Sequence, residues 1–244
     1  MCGRFALDVT GEEMAAAFGI QAGSARSWAP RWNIAPTDSC PVIRRFEGES
    51  RLDSLRWGLV PSWCDDPSIG SRMINARAET VETTASYRGP FVRTRCLVPI
   101  RAFYEWRRDG RGKARPVAIL RDDGELSTLA GLWTRTDRIT DDGSVETFTI
   151  LTTAAGSNLE SVHHRMPVIL SGLDRDHWLD ERAAESGGPS IDELRAMVGR
   201  ASDRGLEIRS VSRRVNGSKH DDPSLLEPVE EPPDEPPGLF GRGD

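Results

Sequence analysis

Residues 96–106 read Cys96-Leu-Val-Pro-Ile-Arg-Ala-Phe-Tyr-Glu-Trp106, an apolar run followed by an aromatic run that encloses one carboxylate. The apolar run predicts a strand. Comparable stretches, separated by Gly, Pro and Asp, predict further strands at 42–46, 55–60, 117–120, 126–133, 147–152 and 206–211. Strands that recur without regularly alternating helices indicate an α+β fold, with a single domain of largely antiparallel strands.

Three helices are expected around these strands. Thr10 and Glu13 have capping-box spacing, residues 14–18 favour a helix, and Gly19 can end it. Apolar residues at helical spacing predict two more helices, at 174–184 and 191–198. The pattern therefore predicts helices at the periphery of a sheet structure.

The composition is typical of a soluble globular protein. Hydrophobic residues make up 37% of the 244 residues, enough for a sizeable core. The sequence has no apolar run near the roughly 20 residues that a membrane-spanning helix needs. Its first residues also lack the charged and apolar regions of a signal peptide. We expect a cytoplasmic protein with no membrane partner.

The C-terminal stretch 227–244 differs in composition from the rest. It is rich in Pro and carries a net charge of −5. Such a segment buries too little apolar surface to offset the entropy lost on ordering it. We therefore predict a folded domain at 2–226 and a disordered acidic tail at 227–244. Leu239 and Phe240 could dock a replication protein; the alternative is a tail that only aids solubility.

Positive charge is concentrated in one stretch, although the whole chain has a net charge of −6. Residues 86–115 hold nine basic side chains against two acidic ones, a net charge of +7. Almost all are Arg, whose planar guanidinium matches phosphate oxygens. The stretch predicts a nucleic-acid surface, and the alternative is a solvated face with ordinary ion pairs.

The four cysteines are Cys2, Cys40, Cys64 and Cys96, which are scattered without close pairs. This spacing fits neither a disulfide framework nor a zinc site with paired ligands. We expect reduced thiols, no metal and no cofactor, although a cysteine in reach of a histidine leaves a metal site open.

Cys2 is the first candidate for chemistry. A small residue after the initiator Met normally allows that Met to be removed, which would leave Cys2 with a free α-amine. An α-amine has a pKa of roughly 7.7 to 8.0 and a thiol one of roughly 8.5, so both nucleophiles are available near neutral pH. With an aldehyde they can form an imine and then a thiazolidine ring. The alternative is a buried small hydrophobic residue beside Phe5 and Leu7.

Two further residues could move protons. Glu105 lies among aromatic residues, where a carboxyl can keep a raised pKa and act as acid and base. His163 lies in the run Val162-His163-His164-Arg165, and imidazole titrates near neutral pH. A structural ion pair for Glu105 and core packing for His163 are the alternatives. One of the two adjacent histidines should face inward, and the pattern does not choose between them.

Amide and aromatic residues could bind a nucleic acid. Asn75 could fix a sugar hydroxyl while Arg77 takes a phosphate, or the two could be a turn Asn and a surface Arg. Trp63 lies between turn residues and could stack on a displaced base, whereas Trp57 is expected in the core.

Six sequence blocks follow one another in a fixed order: Met1-Cys2-Gly3-Arg4-Phe5, Asn33-x-Ala35-Pro36, Trp57-Gly58-Leu59-x-Pro61-x-Trp63, Ile74-Asn75-Ala76-Arg77-x-Glu79-Thr80, Phe103-Tyr104-Glu105-Trp106 and His163-x-Arg165-Met166-Pro167. Together they resemble the SOS-response-associated peptidase (SRAP) family. The resemblance continues to Glu227-Pro228 and so covers everything except the tail. It implies an SRAP-like fold.

The resemblance also implies a function. It implies an abasic-site sensor whose mature N-terminal Cys forms a thiazolidine crosslink with the opened sugar in single-stranded DNA and shields the lesion. Cys2 resembles the family's nucleophile, Asn75 its sugar-contacting amide and Glu105 its acid and base. His163 resembles the imidazole that helps open the sugar and reverse the adduct. The implied DNA contacts are Arg4, Asn33, Pro36, Trp63, Arg77, Thr152 and Arg165.

One block departs from the family. Where the family often has Ala-Asp-Gly before Phe-Tyr-Glu-Trp, this chain has Ile100-Arg101-Ala102. If that Gly needs a positive φ, Ala102 requires a rearranged turn, and the placement of Glu105 then depends on this turn.

Three functions use the same residues. The first is covalent capture of abasic sites in single-stranded DNA by a monomer associated with the nucleoid. The second is an N-terminal cysteine peptidase or amidase, which the family's name records as autoproteolytic. The third is a DNA-binding module without covalent chemistry. Replacing Cys2 separates them, because only the first predicts loss of a denaturation-resistant DNA adduct.

Overall fold

The run 96–106 crosses from one sheet to another in the computed structural model, which describes residues 2–108, 114–140, 143–182 and 186–230. Strand β6 (Arg95–Ile100) belongs to the larger sheet, and β7 (Ala102–Arg108) belongs to the smaller one. Only Arg101 separates them. This crossing joins the two halves of the core.

The larger sheet closes into a barrel. Its wall consists of β3 (Ser39–Phe46), β4 (Glu49–Trp57), β6, β9 (Ser127–Thr140) and β10 (Gly143–Ala154), in the cyclic order β10-β4-β3-β6-β9. Three short strands, β5 (Asn75–Arg77), β11 (Arg165–Pro167) and β12 (Ile169–Leu170), pair with β10 or β9. Only the β4 and β5 pairings with β10 are parallel among the described strands. The prediction of largely antiparallel strands is confirmed.

The smaller sheet lies across one side of the barrel. Its order is β13 (Leu206–Ser210), β8 (Ala114–Arg121), β7, β1 (Phe5–Leu7) and β2 (Arg31–Ile34), and all pairs are antiparallel. On β7, Phe103 belongs to the main core with Cys2, whereas Ala102 and Tyr104 belong to a second cluster on the other face. Alternation along a strand therefore places Glu105 on the same side as Phe103, toward the main core.

The segment after β13 covers the second cluster. Val211, Val215 and Leu225 pack onto this outer face of the smaller sheet. We call residues 211–229 the C-terminal strap. Because the strap supplies apolar side chains to the outer face, both faces of this sheet are buried.

Four α-helices lie outside the strands in the described part of the chain. They are α1 (Gly11–Phe18), α2 (Arg88–Arg93), α3 (Leu173–Leu179) and α4 (Ile191–Gly199). The capping box at Thr10 and the left-handed cap at Gly19 are confirmed. Helix α2 was not expected, and α3 ends before the predicted boundary of 184. No helix in the described ranges has the length and apolar composition needed to cross a membrane.

One expectation needs correction. The basic stretch does not form one surface: Arg95 is 1% exposed and donates to the backbone oxygen of Trp178, while Arg101 pairs with Asp8. The boundary between domain and tail at residue 227 stays a prediction, and just beyond it the Val229 amide donates to the Ser210 carbonyl oxygen. The rest of the predicted tail, 231–244, and its docking motif lie outside the described residues.

Candidate active site

Cys2 lies in the main core directly before β1 and is fully buried. The Nδ2 atom of Asn75 donates a hydrogen bond of 2.9 Å to the Cys2 carbonyl oxygen. Asn75 starts β5, and the hydroxyl of Tyr87 donates to its carbonyl oxygen at 3.4 Å. Asn75 therefore fixes the backbone of Cys2.

Burial raises the pKa of the Cys2 thiol, and the negative charge of Glu105 raises it further. The thiol is therefore protonated at neutral pH. This burial agrees with the alternative drawn from sequence, that Cys2 is a small core residue, but it does not remove the chemistry. A protonated thiol beside a carboxylate can still give its proton to that carboxylate.

Glu105 is 4% exposed on β7 and acts electrostatically on both Cys2 and His163. Arg101 and Ala102 precede it without a positive φ. The register is regular up to Glu105, which pairs with Val117 on β8. The departure at 100–102 therefore leaves Glu105 in the site.

His163 is the inward-facing histidine of the pair, and His164 is exposed and stacks on it with ring centroids 4.3 Å apart. The Arg165 amide donates to His163 Nδ1 at 3.0 Å. Nδ1 also lies 3.2 Å from the Arg165 carbonyl oxygen, so the Arg165 backbone holds this side of the ring in either tautomer. Burial lowers the pKa of His163, while Glu105 opposes this by raising it. The ring is therefore neutral at neutral pH, and it can give up a proton only after its unprotonated nitrogen has gained one.

Arg165 and Thr152 interact with each other inside the fold. Thr152 is fully buried, and its carbonyl oxygen accepts a bond of 2.6 Å from Arg165 Nη2. Arg165 also forms a two-pronged ion pair with Glu79, at 2.9 and 3.1 Å. No role was predicted for Glu79 from the sequence, although it lies two residues after Arg77 in the block that begins at Ile74.

Arg4 and Asn33 form a second network. Arg4 Nη1 donates to Asn33 Oδ1 at 2.8 Å and to the Val215 carbonyl oxygen at 3.0 Å. Asn33 is fully buried, and its Nδ2 donates to the backbone oxygens of Val215, Gly217 and His220. Asn33 therefore ties β2 to the C-terminal strap and holds Arg4, and a direct contact of Asn33 with DNA stays a prediction.

Trp63 and Arg77 are the exposed members of the predicted DNA-binding set. Trp63 is 57% exposed and lines a cavity of about 480 Å³ together with Arg88 and Arg93. Pro36 is half-buried, before Thr37, whose φ is 77°. The structure thus brings Cys2, Asn75, Glu105 and His163 together and leaves Trp63 and Arg77 open to solvent.

Another cavity lies away from these residues. It has a volume of about 640 Å³ and is lined by Arg101, Arg121 and Arg175 with the apolar side chains of Phe18 and Ile169. None of the four predicted catalytic residues lines it, so we place the site at Cys2 on chemical grounds.

The chain matches the family model described as SOS response associated peptidase (SRAP) over residues 1–218. The chain belongs to the SRAP family. The family predicted from the six sequence blocks is therefore confirmed.

Three relatives of this SRAP chain carry the name abasic site processing protein. YoqW of Bacillus subtilis is 35% identical over 229 residues, 93% of this chain and 99% of YoqW. HMCES of Gallus gallus is 30% identical over 94% of this chain and 78% of its own length. YedK of Escherichia coli is 29% identical over 94% of this chain and all of its own length.

The fold is shared with solved structures of other proteins. A crystal structure of a protein from Bacteroides thetaiotaomicron superposes with a TM-score of 0.80 at 22% identity, and the match covers 94% of this chain and all of that one. At this identity the likeness concerns the fold alone.

Proposed function

We propose that this SRAP protein processes abasic sites in single-stranded DNA by forming a thiazolidine crosslink through Cys2. The single observation that supports this most is the cluster in which Asn75 holds the Cys2 backbone while Glu105 acts on both Cys2 and His163. Its relatives are named abasic site processing proteins. The cellular setting that follows is association with DNA.

The reaction needs no oxidant and no metal. After removal of Met1, the α-amine of Cys2 adds to the C1 aldehyde of the opened sugar and forms a C–N bond. Loss of water gives an imine. The thiol then adds across the C=N bond, so that sulfur bonds to carbon and the thiol proton reaches nitrogen through Glu105.

The high pKa of the buried thiol suits this order of steps. The amine makes the first bond, so a thiolate is not needed at the start. When the thiol reacts, Glu105 can take its proton in the same step. A peptidase would need the thiolate as its first nucleophile, which burial of Cys2 disfavours, so we rank that function second.

His163 supplies the second proton transfer. In its protonated form His163 can donate to the ring oxygen of the closed sugar while Glu105 accepts the proton of the C1 hydroxyl, and the sugar opens to the aldehyde. In reverse, it can protonate the adduct nitrogen as the C–S bond breaks. We assign formation chiefly to Glu105 and reversal chiefly to His163.

The exposed side chains of the predicted DNA-binding set are the first candidates for contact with DNA. Arg77 is exposed beside Asn75 and suits a phosphate, while Trp63 suits stacking on a base displaced next to the lesion. Pro36 could wedge against a neighbouring base. Arg4, Asn33, Thr152 and Arg165 would act from partly or fully buried positions around the sugar. Binding should weaken as salt rises, and Arg77→Ala should reduce the salt slope by about 1.

The deciding experiment incubates purified protein with a single-stranded oligonucleotide that holds one abasic site. Intact mass first establishes that Met1 is absent. We expect an adduct that survives denaturing electrophoresis, and its loss in Cys2→Ala while ordinary DNA binding persists. Protein that retains Met1 yet crosslinks at full rate, or peptide turnover without any adduct, would contradict the proposal.

A further inference from the structure

Glu79 and Arg165 link the two sides of the site across β10. Glu79 follows β5, the strand that begins with Asn75, and Arg165 begins β11, two residues after His163. Both strands pair with the end of β10: Arg77 lies opposite Thr152, and Arg165 lies opposite Ala154. The ion pair therefore joins the segment that holds Cys2 to the segment that carries the imidazole.

The geometry of this pair favours a firm connection. Arg165 Nη1 and Nη2 donate to the two Glu79 carboxylate oxygens at 3.1 and 2.9 Å. The Arg165 side chain is only 11% exposed, and Nη2 also donates to the Thr152 carbonyl oxygen at 2.6 Å. Two-pronged pairs fix orientation better than single contacts do. The guanidinium also lowers the pKa of Glu79, so the pair persists at neutral pH.

Arg165 is joined in turn to the imidazole. His163 Nδ1 lies 3.0 Å from the backbone amide nitrogen of Arg165 and 3.2 Å from its carbonyl oxygen, and these two contacts fix the orientation of the ring. A shift of Arg165 would therefore change the direction in which His163 Nε2 points.

We propose that Glu79 is a positioning residue, which acts through Arg165 to hold His163 Nε2 in line with the reacting atoms at Cys2. The inference rests on the proposed function of the site. It gives Arg165 a framework role in addition to the DNA contact proposed for it, because Glu79 and Thr152 hold its guanidinium.

Other charges face His163 as well. They are Glu105 from β7, the amino terminus and the adjacent His164 ring. Glu79→Gln leaves all of these in place. A change in the titration of His163 in this variant would therefore report its orientation and burial.

The chain offers a matched control. Glu82 lies three residues after Glu79 and forms the same kind of two-pronged pair with Arg195 of α4, at 2.9 and 2.7 Å. Glu82→Gln removes an equivalent charge and an equivalent pair. It does not touch the hydrogen bonds of His163.

The test compares Glu79→Gln with Glu82→Gln in the full chain. The first readout is the titration of His163 by NMR without DNA, and the second is the pH profile of adduct reversal. In Glu79→Gln we expect the ring to gain water and titrate closer to the ordinary value of about 6.5. We expect reversal to slow about 10-fold while non-covalent DNA affinity stays within about 2-fold. Glu82→Gln should match the wild type in all three.

Wild-type titration and wild-type reversal in Glu79→Gln would overturn the inference. Glu79→Asp serves as a second variant, in which partial recovery of the reversal rate is expected because the carboxylate is retained. An absence of any adduct with wild-type protein would instead refute the proposed function. The NMR titration would still decide whether Glu79 positions His163.

Discussion

Glu105 has two opposite effects on Cys2, which can be separated by measurement. Its charge raises the pKa of the thiol, while its carboxylate is the proposed proton acceptor. Glu105→Gln should therefore make the thiol easier to ionise and yet slow adduct formation, by about 100-fold if the acid/base step is lost.

Alkylation of Cys2 at a fixed pH and the rate of crosslinking on denaturing gels give the two readouts. Glu160→Gln, an exposed carboxylate, serves as the control. If both rates fall together in Glu105→Gln, the residue is only structural.

The adjacent histidines provide a matched pair of variants. Burial lowers the pKa of His163, so the ring is neutral above the ordinary value of about 6.5 and begins to gain a proton only below it. A step in which the protonated ring gives up its proton should gain rate as the pH falls through that lowered value. His163→Ala should remove this acid limb from reversal, and His164→Ala should keep it. Reversal rates measured from pH 5 to 8 would contradict the assignment if both variants behaved alike.

Which residues would meet at the site could be predicted only in part. The chemical types of Cys2, Glu105 and His163 pointed to the reaction, because a nucleophile and two titratable groups stand out in apolar runs. The role of Glu79 and the strap contacts of Asn33 could not be predicted. They depend on pairings between residues far apart in sequence, such as Asn33 with His220, which are 187 positions apart.

At the scale of elements, helices and strands that depend on neighbouring residues could be predicted, whereas those that depend on pairing with distant strands could not. The N-cap of helix α1 was predicted at the correct residue, Thr10, because a capping box depends only on residues that are close in sequence. The strand predicted at 96–100 corresponds to β6, and β7 was missed entirely because Glu105, Arg107 and Arg108 interrupt the apolar pattern. Its strand conformation depends on pairing with β8 and β1. The short strands β1, β2 and β5 carry too few residues to show alternation.

The link between β2 and the C-terminal strap can be tested at Asn33. Asn33→Ala removes hydrogen bonds to three backbone oxygens and leaves them without this partner in a buried place. We expect a loss of about 1 to 3 kcal/mol in the free energy of unfolding. Urea denaturation of Asn33→Ala and the wild type measures this. Equal stability of the variant and the wild type would show that the Asn33 network contributes little.

At the scale of the whole molecule, the buried thiols predict that the free energy of unfolding falls at alkaline pH. Burial raises the pKa values of Cys2, Cys40 and Cys96, so these thiols stay protonated when folded and ionise first in the unfolded chain. The contribution of these thiols to the free energy of unfolding is therefore fully present below their pKa in the unfolded chain, about 8.5. It falls as the pH rises above that value. Each thiol contributes about 1.4 kcal/mol per pH unit there.

Denaturation midpoints between pH 8 and 11 measure this slope. Cys96→Ser should flatten it, because one ionising thiol is removed, and Cys64→Ser should not, because Cys64 is only partly buried. A midpoint that does not change across this range would contradict the expected linkage.

The C-terminal strap touches both outer strands of the smaller sheet: Asp221 accepts from the Trp32 and Asn33 amides, and Val229 donates to Ser210. The strap is synthesised after all the strands of the sheet that it covers. Until the strap docks, the nascent chain exposes Tyr104 and Ala118 to water and has two uncovered edge strands. Chaperones should therefore engage the protein late in translation, and slowing synthesis after β13 should increase aggregation more than slowing it earlier.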